Sequence, residues 1–111
     1  MRSANNRLTV QQLRYLMKTA ETGSVTDAAR ELGISQSTLS EALSQMENAT
    51  GFAILARSRK GATPTPLGTE FLHYAQNVVN RMDDLERRFV IGFPSKHNYR
   101  IASQSFGFAW E

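Results

Sequence analysis

Apolar residues recur every three or four positions along the first 50 residues, the spacing of one buried helix face. Thr9 and Gln12 form a capping-box pattern that predicts the start of a first helix, and Gly23 predicts its end. The apolar face of this helix contains Leu13, Leu16, Met17 and Ala20.

Residues 24–43 predict two short helices joined by a tight turn. Ser24 with Asp27 predicts a second capping box, and Ser35 predicts the cap of the following helix. Gly33 lies at the turn, where a left-handed backbone is needed. The predicted buried faces are Ala28, Ala29 and Leu32 on one helix, and Ile34, Leu39, Ala42 and Leu43 on the next. This layout is a helix-turn-helix.

After Gly51 the pattern changes to a short hairpin. Residues 52–57 are apolar and predict a strand, residues 58–61 predict a polar turn, and residues 62–64 predict a second strand. Pro64 cannot donate a ladder hydrogen bond, so this strand ends there or lies at an edge. The hairpin has a basic tip and predicts a wing beside the helix-turn-helix.

Thr65 and Pro66 predict the start of a long helix that continues to Phe89. Its 24 residues would extend roughly 36 Å. A small domain cannot cover the whole apolar face of such a helix, so we expect it to form a dimer interface with a second subunit. The interface predicted from this stripe is Leu67, Phe71, Ala75, Val78, Val79, Met82, Leu85 and Phe89.

The predicted fold class is mainly α: a winged helix-turn-helix of three helices and a two-stranded wing, followed by a long linker helix. We predict a winged helix-turn-helix domain over residues 1–64 and the linker helix over 65–91. Residues 92–111 would contain a hinge and, at Tyr99–Ser103, the first strand of a truncated domain. A lone strand makes no fold, so the chain is expected to be a fragment of a longer protein.

Composition narrows the possibilities further. With 111 residues the chain is one small domain with or without an appendage, and its lack of cysteine excludes disulfides and thiolate metal sites. No apolar run is long enough for a membrane span, and no secretory leader is visible. We therefore expect a cytoplasmic protein without a membrane partner.

The net charge of +3 lies in the half that contains the helix-turn-helix. Residues 1–60 contain eight Lys or Arg against five acids, whereas residues 61–111 contain five of each. Between Ile34 and Thr50 there is no Lys or Arg, and Glu41 and Glu47 make that helix net −2. Phosphate attraction dominates nucleic-acid affinity. If this domain binds nucleic acid, that attraction must come from the wing and from the N-terminal arm, residues 1–8.

Several blocks of this sequence resemble the N-terminal part of the LysR-type transcriptional regulators. The resemblance rests on Leu13-Arg14-Tyr15-Leu16, on Gly-Ser-Val-Thr-Asp-Ala-Ala at residues 23–29, on Ser-Gln-Ser-Thr-Leu-Ser at residues 35–40, on Ile54-Leu55-Ala56-Arg57, and on Pro64-Thr65-Pro66-Leu67-Gly68. It covers about residues 8–90. Matched spacing across five blocks is far more specific than any single block.

The resemblance implies a winged helix-turn-helix on a linker helix that pairs two subunits. It also implies a C-terminal domain that resembles periplasmic binding proteins and binds a small-molecule effector, with no cofactor in this fragment and a possible tetramer in the full-length protein. Two positions depart from the family, which often has proline where Ser37 lies and arginine where Glu41 lies.

The candidate DNA contacts are short polar side chains of the helix-turn-helix and basic residues of the wing. They are Thr26, Ser35, Gln36, Ser37, Thr38, Ser40, Glu41, Arg57, Arg59, Lys60 and Thr65. Gln36 suits an adenine edge. The alternative is a solvated surface glutamine, and within this motif base contact is favoured. The wing cations suit phosphates or the minor groove, although charged turns are often only solvated.

Two candidates have further interpretations. Thr26 near a helix N-terminus suits a phosphate, or merely helix initiation. Glu41 has three interpretations: it accepts a hydrogen bond from a cytosine amino group, it repels the DNA backbone, or it is simply solvated.

Catalysis and metal binding find no support in the sequence. His73 and His97 are isolated, and no nucleophile–base pair or phosphate-cradling loop is evident. Asp83, Asp84 and Glu86 are explained as the polar face of the linker helix. We therefore expect no metal site and no enzymatic activity.

The sequence favours a dimeric regulator that binds specific double-stranded DNA at inverted-repeat half-sites. The helix from Ser35 would enter the major groove, and the wing would reach the flanking groove. The alternative is a winged-helix module that binds another protein. The net negative charge of the helix from Ser35 leaves this alternative open.

Overall fold

The computed structural model describes residues 7–92, which form four helices and a two-stranded antiparallel sheet. The elements are α1 (Val10–Thr22), α2 (Val25–Leu32), α3 (Gln36–Thr50), β1 (Leu55–Ser58), β2 (Gly61–Pro64) and α4 (Pro66–Phe89). The predicted winged helix-turn-helix followed by a long helix is confirmed. The predicted strand at 99–103 and most of the N-terminal arm lie outside the described residues.

Side-chain caps define where the helices begin. Thr9 Oγ1 accepts from the Gln12 N–H at 3.1 Å, while the Thr9 N–H donates to Gln12 Oε1 at 3.0 Å, which confirms the first capping box. The second box is only half correct. Ser24 Oγ accepts from the Asp27 N–H at 3.1 Å, but the Asp27 carboxylate accepts from Arg30 instead of returning to Ser24. The charged bond to Arg30 is the stronger choice for this carboxylate.

The first strand begins later than the apolar run predicted. β1 starts at Leu55, which pairs with Pro64, and Ser58 pairs with Gly61 at the other end. The backbone of Ile54 is used elsewhere, because its N–H donates to Glu47 and its carbonyl accepts from the Thr65 N–H. Pro64 closes β2, as expected for a residue that cannot donate.

One hydrophobic core joins α1, α2, α3, the wing and α4 as far as Val79. Its most deeply buried large side chains are Leu16, Leu39, Leu43, Met46 and Ile54. Each such side chain stabilises the fold by about 1.5–3 kcal/mol relative to exposure. These five side chains therefore fix α3 to the remainder of the domain.

Helix α4 packs on α1, and an ion pair joins the two helices beyond the core. Ala75 and Val79 are buried in this contact, and Phe71 is half-buried beside the core. Further along, Arg14 lies 2.8 Å from an Asp83 carboxylate oxygen. Within residues 7–92 no helix has the length and apolar character needed to cross a membrane.

Candidate nucleic-acid interface

The turn between α2 and α3 sets the direction of α3. Gly33 has φ = 72°, a left-handed conformation that glycine adopts without a Cβ clash. The Gly33 N–H donates to the Arg30 carbonyl at 3.2 Å and the Ile34 N–H donates to the Ala29 carbonyl at 3.0 Å. This pair of bonds is a Schellman motif, which ends α2 and redirects the chain. Ser35 then caps α3 by accepting from the Thr38 N–H at 3.0 Å.

Helix α3 has one buried side and one polar side. Its buried residues are Leu39, Ala42, Leu43 and Met46. At about 100° per residue, the positions opposite them form a line along the helix. This line, which we call the α3 ridge, consists of Ser37, Glu41, Ser44 and Asn48, all of which are exposed.

The wing is attached to the helical core by backbone contacts. The Ala62 N–H donates to the Gly23 carbonyl at 2.9 Å. Gly61 lies so close to the same carbonyl that an added Cβ would clash with it. At the base of the wing, the Thr65 hydroxyl donates to the Ala53 carbonyl at 2.7 Å. These contacts hold the hairpin beside the N-terminal end of α2.

An open cleft of about 350 Å³ lies between the N-terminal end of α2, the start of α3 and the wing. Five of the predicted contact residues line it: Thr26, Gln36, Ser40, Arg57 and Arg59. Ser24, Val25, Ser58, Gly61 and Ala62 complete its lining. The fold thus brings together side chains from three separate sequence segments.

The other predicted contact residues lie outside this cleft. Ser37 and Glu41 belong to the α3 ridge, Thr38 is exposed beside the cap of α3, and Lys60 is exposed in the turn of the wing. Ser35 uses its hydroxyl within the cap, where it donates to Thr38 Oγ1 at 2.9 Å. The Ser37 hydroxyl lies 3.3 Å from that of Ser35, within hydrogen-bond distance.

Thr65 has a role within the fold. Its hydroxyl donates to the Ala53 carbonyl and accepts from the Gly68 N–H at 2.9 Å. The single hydroxyl proton is therefore used inside the protein, where it joins the N-terminus of α4 to the segment before the wing. Thr65 thus anchors the fold, and its contact with DNA stays a prediction.

The carboxylate of Glu47 is bound to backbone groups of the same chain. Its Oε2 accepts from the Ile54 N–H at 2.7 Å and from the Leu55 N–H at 3.2 Å. The carboxylate thereby satisfies two backbone donors at the start of β1. Of the two acids in α3, Glu41 is exposed and Glu47 is half-buried.

Four basic residues of the helices are ion-paired: Arg14 lies by Asp83 and Glu86, Lys18 by Glu21 and Glu31, Arg30 by Asp27, and Arg88 by Asp84. Among the described residues, Arg7, Arg81 and Arg87 have no such pair. Hydrogen bonding to Glu21, followed by its charge and the bond to Glu31, raises the pKa of Lys18 above its ordinary 10.5. Within residues 7–92, the wing cations Arg57, Arg59 and Lys60 have no acidic partner within 4.0 Å.

The apolar stripe predicted for α4 divides into two faces. Ala75 and Val79 are buried against the core of the same chain, so they are removed from the predicted dimer interface. Phe71 and Met82 are half-buried, and Phe71 packs edge-on against Phe52. The exposed apolar side chains of α4 are Leu67, Tyr74, Val78, Leu85 and Phe89. Sequence periodicity alone did not separate the two faces, because they lie next to each other on the helix.

The described residues contain no group of three or more His, Cys, Asp or Glu that would hold a metal ion. His73 is exposed and its ring lies edge-on to Tyr74. His97 lies outside the described residues.

Three helices, a wing and a cleft lined by polar and basic side chains define a winged helix-turn-helix protein. The sequence profile of the bacterial regulatory helix-turn-helix proteins of the lysR family matches residues 10–69. The chain belongs to this family. The family and the relatives are regulators rather than enzymes, in agreement with the prediction that this chain has no enzymatic activity.

Two curated relatives illustrate the similarity. The small neutral protease regulatory protein of Streptomyces coelicolor is 42% identical over 80 residues, which cover 72% of this chain and 24% of the relative. The probable HTH-type transcriptional regulator LrrA of Synechococcus elongatus is 36% identical over 78 residues, with 70% and 26% covered. The chain thus spans about a quarter of the length of these relatives.

A solved structure extends the similarity to the fold. The crystal structure of the BenM_DBD/benA site 1 DNA complex superposes with a TM-score of 0.67 at 31% identity. The match covers 70% of this chain and 91% of that one.

Proposed function

We propose that this chain is the DNA-binding part of a transcriptional regulator and binds specific double-stranded DNA. Helix α3 would enter the major groove with its ridge toward the base edges, and the wing would follow the flanking groove. Membership of a regulatory family and similarity to a domain solved with DNA support this proposal.

The observation that carries the proposal is the composition of the cleft. Arg57 and Arg59 meet the N-terminal end of α2 there, next to Gln36 and Ser40 at the start of α3. The first N–H groups of a helix are unpaired and attract anions. A phosphate in this cleft would receive bonds from α2 and the wing while α3 lies in the adjoining groove.

The exposed apolar face of α4 supports a dimer formed with a second copy of this chain. Leu67, Val78 and Phe89 are spaced by 11 residues, as are Tyr74 and Leu85, so the two sets share one line along the helix. Two copies related by a twofold axis would present two α3 helices to an inverted repeat.

The proposal is tested by the affinity of the chain for duplexes as a function of salt. We expect a duplex selected from a random pool to bind far more tightly than an unrelated duplex, and both affinities to fall steeply with salt. Weak binding that does not respond to salt would contradict the proposal and favour the protein-binding alternative.

The dimer is tested by sedimentation equilibrium of Val78→Asp. We expect this variant to be monomeric, because a carboxylate would be buried against an apolar partner. Asn77→Asp is the matched control, since it adds the same charge at an exposed position off the apolar line. Equal association of both variants would show that this face does not pair two subunits.

The resemblance also implies an effector-binding domain and a tetramer. Both concern parts of the relatives outside the quarter of their length that this chain matches. They stay predictions, as does the cytoplasmic location.

A further inference from the structure

Glu41 has an unusual position for a carboxylate in a domain that would bind DNA. It lies near the middle of the α3 ridge, four residues after Ser37 and three before Ser44. Its side chain is exposed, and within residues 7–92 it has no ion pair or hydrogen-bond partner. In contrast, the carboxylate of Glu47 is engaged by two backbone donors.

We propose that Glu41 selects a cytosine in each half-site by accepting a hydrogen bond from its exocyclic amino group in the major groove. This inference rests on the proposed function and deepens it, because it assigns one base of the target sequence to one side chain.

The chemistry of the groove favours this base. An ionised carboxylate only accepts hydrogen bonds, so the acceptors of guanine and the O4 of thymine repel it. Cytosine N4 and adenine N6 are the major-groove donors. The adenine amino group lies beside the N7 acceptor, whereas the cytosine amino group has the C5–H as its neighbour on the same ring. Cytosine is therefore the base that meets a carboxylate without a repulsive contact on that ring.

Among residues 7–92, no Lys or Arg lies within 4.0 Å of this carboxylate. Helix α3 has no Lys or Arg. Arg57 and Arg59 line the cleft with Gln36 and Ser40, which flank the ridge on the side toward the wing. A carboxylate that enters the groove between two phosphate backbones without a donor would weaken binding. A site with cytosine opposite Glu41 supplies that donor, and other sites leave the repulsion uncompensated.

The experiment begins with selection of duplexes from a random pool by the wild-type chain. Four duplexes that differ only at the inferred base pair are then titrated with the wild type, Glu41→Gln, Glu41→Ala and Glu70→Ala. Glu70 is an exposed acid of α4 with no ion pair among residues 7–92, so its removal controls for the general loss of one negative charge.

We expect the wild type to bind the cytosine duplex about tenfold more tightly than the other three, the usual effect of one mismatched base pair. Glu41→Gln should move the preference to adenine, since an amide pairs with N6 and N7 together. Glu41→Ala should lose most of the preference and bind the three other duplexes more tightly. Glu70→Ala should keep the wild-type preference.

Two results overturn the inference. If Glu41→Ala and the wild type share one order of preference at every base pair of the half-site, Glu41 reads no base, although the chain still binds DNA. If no duplex is bound in a salt-dependent manner, the proposed function fails and the inference fails with it.

Discussion

Helix α3 and the wing occupy neighbouring sides of one cleft, yet they differ in charge and in how they are held. The exposed side of α3 has hydroxyl and amide groups and one carboxylate, and its other side is anchored by fully buried side chains such as Leu39 and Met46. The wing has three cations without acidic partners in the described part of the chain. It is attached by two buried side chains, Leu55 and Ala62, and by hydrogen bonds to its backbone.

This difference is consistent with a division of roles, in which α3 distinguishes bases and the wing binds phosphates. Base edges are distinguished by directional hydrogen bonds from a rigid surface, whereas phosphates attract any cation nearby. A change in the α3 ridge should therefore alter the order of preferred sites. A change in the wing should weaken all sites alike.

The largest effect is expected when the buried side of α3 is damaged. Leu43 is 2% exposed, and Leu43→Ala should lower the free energy of unfolding by about 2–5 kcal/mol because it leaves a cavity in the core. Urea denaturation followed by circular dichroism measures this change. Ser44→Ala, at the next and exposed position, should change stability by less than about 0.5 kcal/mol. Equal effects would mean that α3 is not held through this face.

A smaller effect is expected at the base of the wing. Glu47→Ala would leave the N–H groups of Ile54 and Leu55 without their acceptor, at a cost of about 1–3 kcal/mol. Binding to all duplexes should weaken without a change in the order of preference, since the wing loses an anchor and the α3 ridge is intact. Urea denaturation and fluorescence anisotropy measure the two effects.

Glu47→Gln is the matched variant, because its amide oxygen can still accept from both backbone donors. It should retain most of the stability that alanine loses. If glutamine and alanine are equally damaging, the negative charge rather than the two hydrogen bonds stabilises the wing.

The contacts of Glu47 show which parts of the structure the sequence predicts and which it does not. The helix-turn-helix, the glycine turns and the helix caps depend on residues close together in sequence, and most were predicted correctly. Glu47, Thr65 and Gly61 act through contacts with the backbone of distant residues. Nothing in local periodicity identifies such partners, so the anchors of the wing were missed.

Helix α4 gives the same lesson for a hydrophobic pattern. Its stripe was correctly predicted to be apolar, but a stripe does not state which part meets the same chain and which part meets another. The packing of α1 against Ala75 and Val79 makes that distinction. For the cleft, the sequence predicted five of the lining residues, whereas their convergence depends on the tertiary arrangement of α2, α3 and the wing.

The contribution of the wing to binding of the DNA phosphates is tested with Arg57→Gln. Arg57 lines the cleft and has no acidic partner in the described residues. Its removal should reduce the slope of log affinity against log salt by about one unit and leave the order of preferred sites unchanged. Arg88→Gln is the control, since Arg88 is paired with Asp84 on α4. An unchanged slope for Arg57→Gln would mean that Arg57 contacts no phosphate. Other cations would then bind the DNA backbone.

The smallest effect is expected at a cation that is paired within the fold. Lys18 Nζ lies 3.4 Å from carboxylate oxygens of both Glu21 and Glu31, and these partners raise its pKa above 10.5. A pKa raised in the folded state stabilises the fold while pH is below the unfolded value, and this contribution is lost as pH rises through the folded value. Wild type should therefore be slightly more stable than Lys18→Met near pH 8, because an exposed ion pair contributes little. The difference should vanish above the raised pKa.

The same variant should leave the salt dependence of DNA binding as it is in wild type, because Lys18 is already neutralised by its partners. A slope reduced as much as in Arg57→Gln would mean that Lys18 leaves its partners for a phosphate, and the distinction between paired and unpaired cations would then fail.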